Sequence, residues 1–241
     1  MPRGFRSRGR RPLDFVSLFN ALAIVFLPAG AIAASCPAGT VYLTFDTGSM
    51  HAAELIARTL EEENVKATFF LANEKTYRND YSLDPSWGSY WKKLAAAGHV
   101  FGNHTWSHLY ARRDEGGKVI VAGSNGERAL DQKAYCDELR KVEHAFERDT
   151  GQKLAGIWRA PGGRSTQQSV RFAASCGYPI HVQWDDAGFI GDELPSETYP
   201  NKLLLERALK NIGAGNVLMM HLGIWSRKEP AAPILKPLIQ G

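Results

Sequence analysis

The 241 residues, 44% hydrophobic and 10% aromatic, can bury one sizeable core, and one domain is the natural expectation. The formal charge of +4 is concentrated at the start, where residues 1–11 (MPRGFRSRGRR) carry arginines and no acid. Without that stretch the chain is close to neutral, so composition gives no argument for a nucleic-acid partner.

The basic start runs into FVSLFNALAIVFLPAGAIA, an apolar stretch interrupted by Asn20 and Pro28 and ending in Ala31-Ile32-Ala33. A charged region, an apolar region and a small-x-small site read as a secretory signal over residues 1–33. A membrane span would want about 20 unbroken apolar residues. Cleavage leaves a domain over 34–241, exported to the periplasm or beyond the cell, with no stable membrane span. Disulfides form in such compartments. The cysteines are Cys36, Cys136 and Cys176, an odd number. Cys136 falls near the start of one helix and Cys176 at the end of the next. Consecutive helices of a β/α repeat run parallel, which puts these two thiols at opposite ends and disfavours their pairing.

Strand and helix patterns then alternate. Residues 41–45 (VYLTF) read as a strand, 52–63 as an amphipathic helix, and 65–71 (VKATFFL) as a second strand. A helix around 90–97 stops at Gly98, and 99–102 lead into the histidine motif. Residues 128–150 predict a helix closed by Gly151. A short strand at 157–158, a helix at 166–175, a strand at 180–184, a helix at 203–211 and a strand at 217–220 complete the order. Two segments, 72–88 and 110–126, read as long surface loops able to shape a substrate groove. Such alternation predicts parallel strands in an open sheet or a barrel.

Polar residues cluster just after the strands: Asp46; His104 and His108; Arg159; Asp185 and Asp186; His221. Active sites of parallel β/α folds gather at the C-terminal ends of strands, so these stretches are expected at one mouth. His104 and His108 stand four apart, which in a helical turn puts both rings on one face toward a divalent metal. Asp46, in TFDTG, serves as general base, metal ligand, or simply a turn residue before Gly48. Arg159, in WRAPGG, can orient a carboxylate or form an ordinary ion pair, and the N–H of Gly162 or Gly163 can face an oxyanion. His221 after VLMM fits a general acid kept protonated by a nearby anion, drawn from Asp185 or Asp186.

Together TFDTG, VKATFF, GNHTWSH, RAPGG and VLMMHLG resemble, in order and spacing over residues 40–225, the NodB-type polysaccharide deacetylases, carbohydrate esterase family four. The resemblance implies an α/β fold, a distorted parallel (β/α) barrel. It implies a divalent metal, Zn²⁺ or alternatively Co²⁺, acting on an N-acetylated polysaccharide or oligosaccharide such as peptidoglycan, a chitin-like polymer or an exopolysaccharide. It makes Asp46 the base, His104 and His108 metal ligands, Arg159 the group orienting Asp46, and His221 the acid. Trp184 and Leu218 then wall the acetyl pocket.

Three departures stand out. Thr47 replaces the family's second Asp, the third metal ligand, which predicts a weaker site that Thr47→Asp should tighten. WDDAGF matches the family's D-x-x-D-W pattern only approximately, leaving Asp185 and Asp186 as alternatives. The family continues through a further helix and strand after the last motif, so the barrel is expected to lack its last segment. Two other readings compete: a glycan-binding pseudoenzyme with a lost metal site, and a hydrolase of another non-peptide C–N bond. The signal reading predicts that protein recovered from an exporting host begins at Ala34. N-terminal sequencing checks this, and an intact Met1 in the membrane fraction would contradict it.

Overall fold

Short runs of two to five residues, with helices between them, build the frame seen in the computed structural model, which describes residues 39–123 and 126–241. The signal at 1–33, the Ala34 start and Cys36 lie outside the described residues. Strands β1 (Tyr42–Asp46), β2 (Thr68–Leu71) and β3 (Val100–Asn103) are followed by β4 (Tyr110–Glu115), β5 (Lys118–Gly123) and β6 (Gly126–Leu130). Then come β7 (Ile157–Trp158), β8 (Ile180–His181) and β9 (Val217–His221). The helices are α1 (Ala53–Glu62), α2 (Gly88–Ala96), α3 (Gln132–Thr150), α4 (Gln167–Ser175), α5 (Asn201–Asn211) and α6 (Leu235–Gln240). Six strands form one parallel sheet in the order β8-β7-β3-β2-β1-β9, a curled half-barrel with helices packed on it.

Side chains alternate across each strand, and this decides which face each residue serves. Leu43, Phe45, Phe69, Leu71, Phe101, Leu218 and Met220 belong to the main hydrophobic core. Thr44, Asp46, Phe70, Met219 and His221 take the opposite parity. Behind β1 the chain turns at Gly48, with φ +89°, where a Cβ would lie 2.4 Å from the Gly223 carbonyl oxygen. Only glycine permits that approach. Helix α3 starts where the Asp131 side chain accepts the Ala134 N–H and ends at Gly151 in the left-handed region. Beyond β9, a 3-10 turn (Ala232–Ile234) leads into α6, which packs on α1 and α5. Among the described residues no helix is long and apolar enough to cross a membrane.

Two expectations need correction. The segment expected as a loop at 110–126 is instead most of an antiparallel meander, β4-β5-β6, with Arg128–Leu130 in its last strand rather than in α3. Gly116 and Gly117, with φ +56° and +76°, make a two-residue hairpin turn, and Val119 and Val121 are buried beneath it. The glycines that suggested a loop are the hairpin signal.

Cys136 and Cys176 are joined in a disulfide, the pairing expected to be disfavoured. Helix α4 meets the first turn of α3: Gln132 donates to Ser175, and the rings of Tyr135 and Phe172 lie 6.0 Å apart. The nine-residue α4 thus ends beside the start of the much longer α3. Closing a 40-residue separation restricts the unfolded chain by about 4 kcal/mol in the chain-entropy picture. Cys136→Ser with Cys176→Ser should lower unfolding stability by about 2–4 kcal/mol, read by urea denaturation under oxidising conditions. An unchanged midpoint would contradict a stabilising bridge.

Candidate active site

Strand register brings the polar ends together. Asp46 pairs with Phe70 of β2 and His221 of β9, Leu71 with Asn103, and Asn103 with Trp158. The residues one step beyond β1, β3 and β7 are Thr47, His104 and Arg159. Asp46, His104, His108, Arg159 and His221 therefore gather at the C-terminal edge of the sheet.

Asp46 and Arg159 are buried, 3% and 0% exposed, and Arg159 Nη1 donates to Asp46 Oδ1 at 2.8 Å. The guanidinium also donates from Nε to the Val182 carbonyl and lies over the rings of Phe70 and Trp184, 4.2 and 5.2 Å from their centroids. Burial works to raise the Asp46 pKa, but Arg159, His104 and His221 outweigh it and hold the carboxyl below its usual value. Asp46 is an anion.

His104 Nδ1 lies 2.8 Å from the Arg159 carbonyl, and Nε2 lies 3.5 Å from Asp46 Oδ2. A carbonyl only accepts, so Nδ1 carries the proton and the Nε2 lone pair faces the site. Burial pushes the His104 pKa down to about 4, and the ring is neutral. The rings of His104 and His108 lie 5.0 Å apart. No helix brings them together. Residues 104–109 form an irregular turn with positive φ at Thr105 and His108. Asn103 Oδ1 accepts the Thr105 N–H, and the Glu138 carboxylate accepts from the backbone and hydroxyl of Ser107.

Thr47 is fully buried and committed to its neighbours. Its hydroxyl donates to Glu74 Oε2 at 2.6 Å and accepts from Ala72 N–H at 3.2 Å. Glu74 Oε2 also accepts the Gly48 N–H, while Oε1 lies 3.9 Å from His108 Nδ1. Burial works to raise the Glu74 pKa; His108, Thr47, His104 and Gly48 together hold it below the usual value. Among the described residues no three His, Cys, Asp or Glu side chains already converge as a ready metal-binding set.

The partner of His221 is Asp192, not Asp185 or Asp186. Asp192, 2% exposed, accepts the His221 backbone N–H at 2.6 Å and faces Nδ1 at 3.2 and 3.3 Å. Burial alone would lower the His221 pKa; the charge of Asp192, with Asp46 and Glu193, raises it to about 9. Asp185 instead accepts from Gly188 N–H and from Asn216, which precedes β9 and so lies at the far end of the strand from His221. Asp186 is exposed on a groove with Phe189, Arg207 and Asn211. Asp192 follows Gly191 in a loop before α5, with no strand leading to it, and in sequence it reads as a turn residue.

Of the pocket residues, Trp184 stands by Arg159 as described. Gly162, with φ +60°, lies under Tyr110, whose ring a Cβ there would meet at 2.7 Å. The Gly163 N–H donates to Ala160, which leaves the Gly162 N–H as the candidate toward an oxyanion. Leu218 does not line the site. It sits in the core parity and faces an apolar groove with Val41, Leu43, Val65 and Ala208. Met219 shares the parity of His221. Two cavities open at the mouth, about 290 Å³ beside His221 and Asp192, and about 460 Å³ beside Glu74, His108 and Tyr110. Trp225, 58% exposed, lines both.

The family model for polysaccharide deacetylases matches residues 34–181. A peptidoglycan-N-acetylglucosamine deacetylase of Bacillus cereus is 27% identical over 182 residues, covering 75% of this chain and 55% of that protein. The chain thus spans about half the length of that relative. Among solved structures, the peptidoglycan deacetylase PdaC from Bacillus subtilis matches with TM-score 0.61 and 20% identity over 85% of each chain. A carbohydrate esterase family four pseudoenzyme from Bacillus anthracis matches with TM-score 0.62 and 20% identity, over 85% of this chain and 60% of that one. With the family model matching more than half of its residues, this chain belongs to the polysaccharide deacetylase family.

Proposed function

We propose that this chain is an exported, metal-dependent hydrolase that removes N-acetyl groups from an amino-sugar polymer, with peptidoglycan the first candidate. One observation carries the reading: an anionic Asp46 and a protonated His221 stand opposite each other in the β1–β9 register, each held by its own buried counter-charge. Environments that push two titratable groups apart in this way suit a base and an acid.

The donor chemistry fits a divalent ion. His104 is neutral with its proton fixed on Nδ1, His108 lies alongside, and both would hold the metal. When bound, the ion would polarise the acetamide carbonyl and make water more acidic at neutral pH. Asp46 takes the proton of the attacking water while Arg159 keeps its carboxylate oriented. The Gly162 N–H faces the oxygen that becomes negative. His221 gives its proton to the nitrogen as the C–N bond breaks, and acetate and a free amine leave. Trp225, exposed between the two cavities, offers a ring face for a sugar. The relative from Bacillus cereus, a peptidoglycan-N-acetylglucosamine deacetylase by name, favours a wall polymer. The disulfide and the basic, apolar start favour export. Thr47 favours a second reading, a glycan binder without turnover.

Acetate release from peptidoglycan, chitin oligomers and an exopolysaccharide, with and without Zn²⁺ or Co²⁺, separates these readings. Asp46→Asn should abolish release and keep most bound metal, whereas His104→Ala should lose both. Near-normal turnover in Asp46→Asn would remove Asp46 from the role of base, and no release at any metal concentration would leave the binder.

His221→Ala should lower turnover by about 10² to 10⁴. The alkaline limb of the kcat/KM profile should fall near pH 9, where His221 deprotonates. Asp192 stabilises the charged ring, so Asp192→Asn should move that limb to lower pH. A limb that stays in place would assign the proton to another donor.

A further inference from the structure

Thr47 supplies no carboxylate to the histidine pair, and Asp46, 3.5 Å from His104 Nε2, is taken up as the base and by Arg159, so a third ligand anion has to come from elsewhere in the chain. Resting on the metal-dependent reading above, we infer that Glu74, from the loop after β2, is the third protein ligand of the site, in place of a carboxylate at position 47.

The Thr47 hydroxyl is not free to serve. Its proton goes to Glu74 Oε2 and its oxygen accepts from Ala72 N–H. What Thr47 does is tether Glu74. With the Gly48 N–H it fixes Oε2 by two hydrogen bonds. The backbone of Glu74 is pinned as well: its N–H donates to the Ser82 hydroxyl, and its carbonyl accepts the Ser82 N–H. Ser82 in turn donates to the Ala72 carbonyl, closing the loop on itself. One carboxylate oxygen is thereby anchored and the other, Oε1, points toward His108 Nδ1 at 3.9 Å. Two ligand atoms bonded to one zinc ion at about 2.0–2.2 Å stand roughly 3–4 Å apart. The gap between Oε1 and His108 is of that size.

A merely structural Glu74 would show the same hydrogen bonds, so the two roles must be separated by measurement. The loss of an outer partner weakens metal binding about 10- to 100-fold. A lost charged ligand should exceed that and change the ion's coordination. Position 47 supplies the reciprocal test. An Asp there alone would set its carboxylate against Glu74 Oε2, so Thr47→Asp should bind metal no more tightly than wild type, contrary to the expectation from sequence. With Glu74 neutralised, the same Asp should take over as the ligand.

The experiment titrates the chelator-stripped full chain with Zn²⁺ by calorimetry and records Co²⁺ absorption at saturation, with thermal melting of each metal-free protein. Glu74→Gln, whose amide oxygen can still accept from Thr47 and Gly48, should fold with a lowered melting temperature, bind Zn²⁺ at least about 100-fold more weakly, and show an altered Co²⁺ spectrum. Thr47→Asp/Glu74→Gln should recover affinity to within about tenfold. Glu74→Gln with wild-type affinity, or with an unaltered Co²⁺ spectrum, overturns the assignment while the metal-dependent reading stands. A wild-type chain that binds neither ion overturns both. If Glu74→Gln does not fold, Glu74→Asp decides: a changed Co²⁺ spectrum supports ligation and an unchanged one refutes it.

Discussion

The buried pair of Arg159 and Asp46 is the constraint on which the rest of the site depends. The two residues lie 113 positions apart and come from strands separated in the sheet by β2 and β3. Breaking such a pair by removing one partner costs about 3–5 kcal/mol, because the other charge is left buried and alone. Every element between them is therefore held to a narrow geometry. Phe70 lies against one side of the guanidinium, and Gly102 behind it has no side chain to displace that ring, since a Cβ there would meet Phe70 at 2.7 Å. Arg159 acts twice: its side chain fixes the carboxylate, and its carbonyl fixes the tautomer of His104.

Burial and charge then set the protonation states in opposite directions at neighbouring positions. His104 and His221 are both enclosed, and burial alone would strip the proton from each. At His221 the Asp192 carboxylate stands against Nδ1 and its charge prevails, holding the pKa near 9; at His104 burial prevails over Asp46, 3.5 Å from Nε2, and the pKa falls to about 4. One histidine is left with a free lone pair and the other with a proton to give. The difference lies at Nδ1: a neutral carbonyl there at His104 and the Asp192 anion at His221.

Much of this was legible in the sequence where a residue follows directly on a strand. Asp46, His104, Arg159 and His221 each cap an apolar run, and parallel topology puts such positions at one edge. Asp192 and Glu74 were not legible, because each comes from a loop whose path no periodicity fixes. The meander was misread because Gly116-Gly117 looks alike in a loop and in a hairpin turn. Leu218 was misplaced by a single residue of strand parity, which moves a side chain to the other face of the sheet. The Cys136–Cys176 bridge depended on where the short α4 meets α3, a matter of tertiary offset with no sequence signature.

The carboxylates that sequence reading missed share one physical trait. Asp192 accepts the N–H of His221 at 2.6 Å, Glu74 that of Gly48 at 2.7 Å, and Glu138 that of Ser107 at 2.7 Å. Each of these N–H groups lies at the last residue of a strand or in the turn that follows one, and a carboxylate accepts it in place of a strand carbonyl. Buried donors of that kind need a partner, and an anion makes the stronger bond. The same three carboxylates face, in turn, His221, His108 and the turn that carries His104 and His108. Charge at this edge thus closes the backbone and tunes the imidazoles at once. Asp192, Glu74 and Glu138 should accordingly be harder to replace than exposed acids such as Asp185 and Asp186, which touch neither ring.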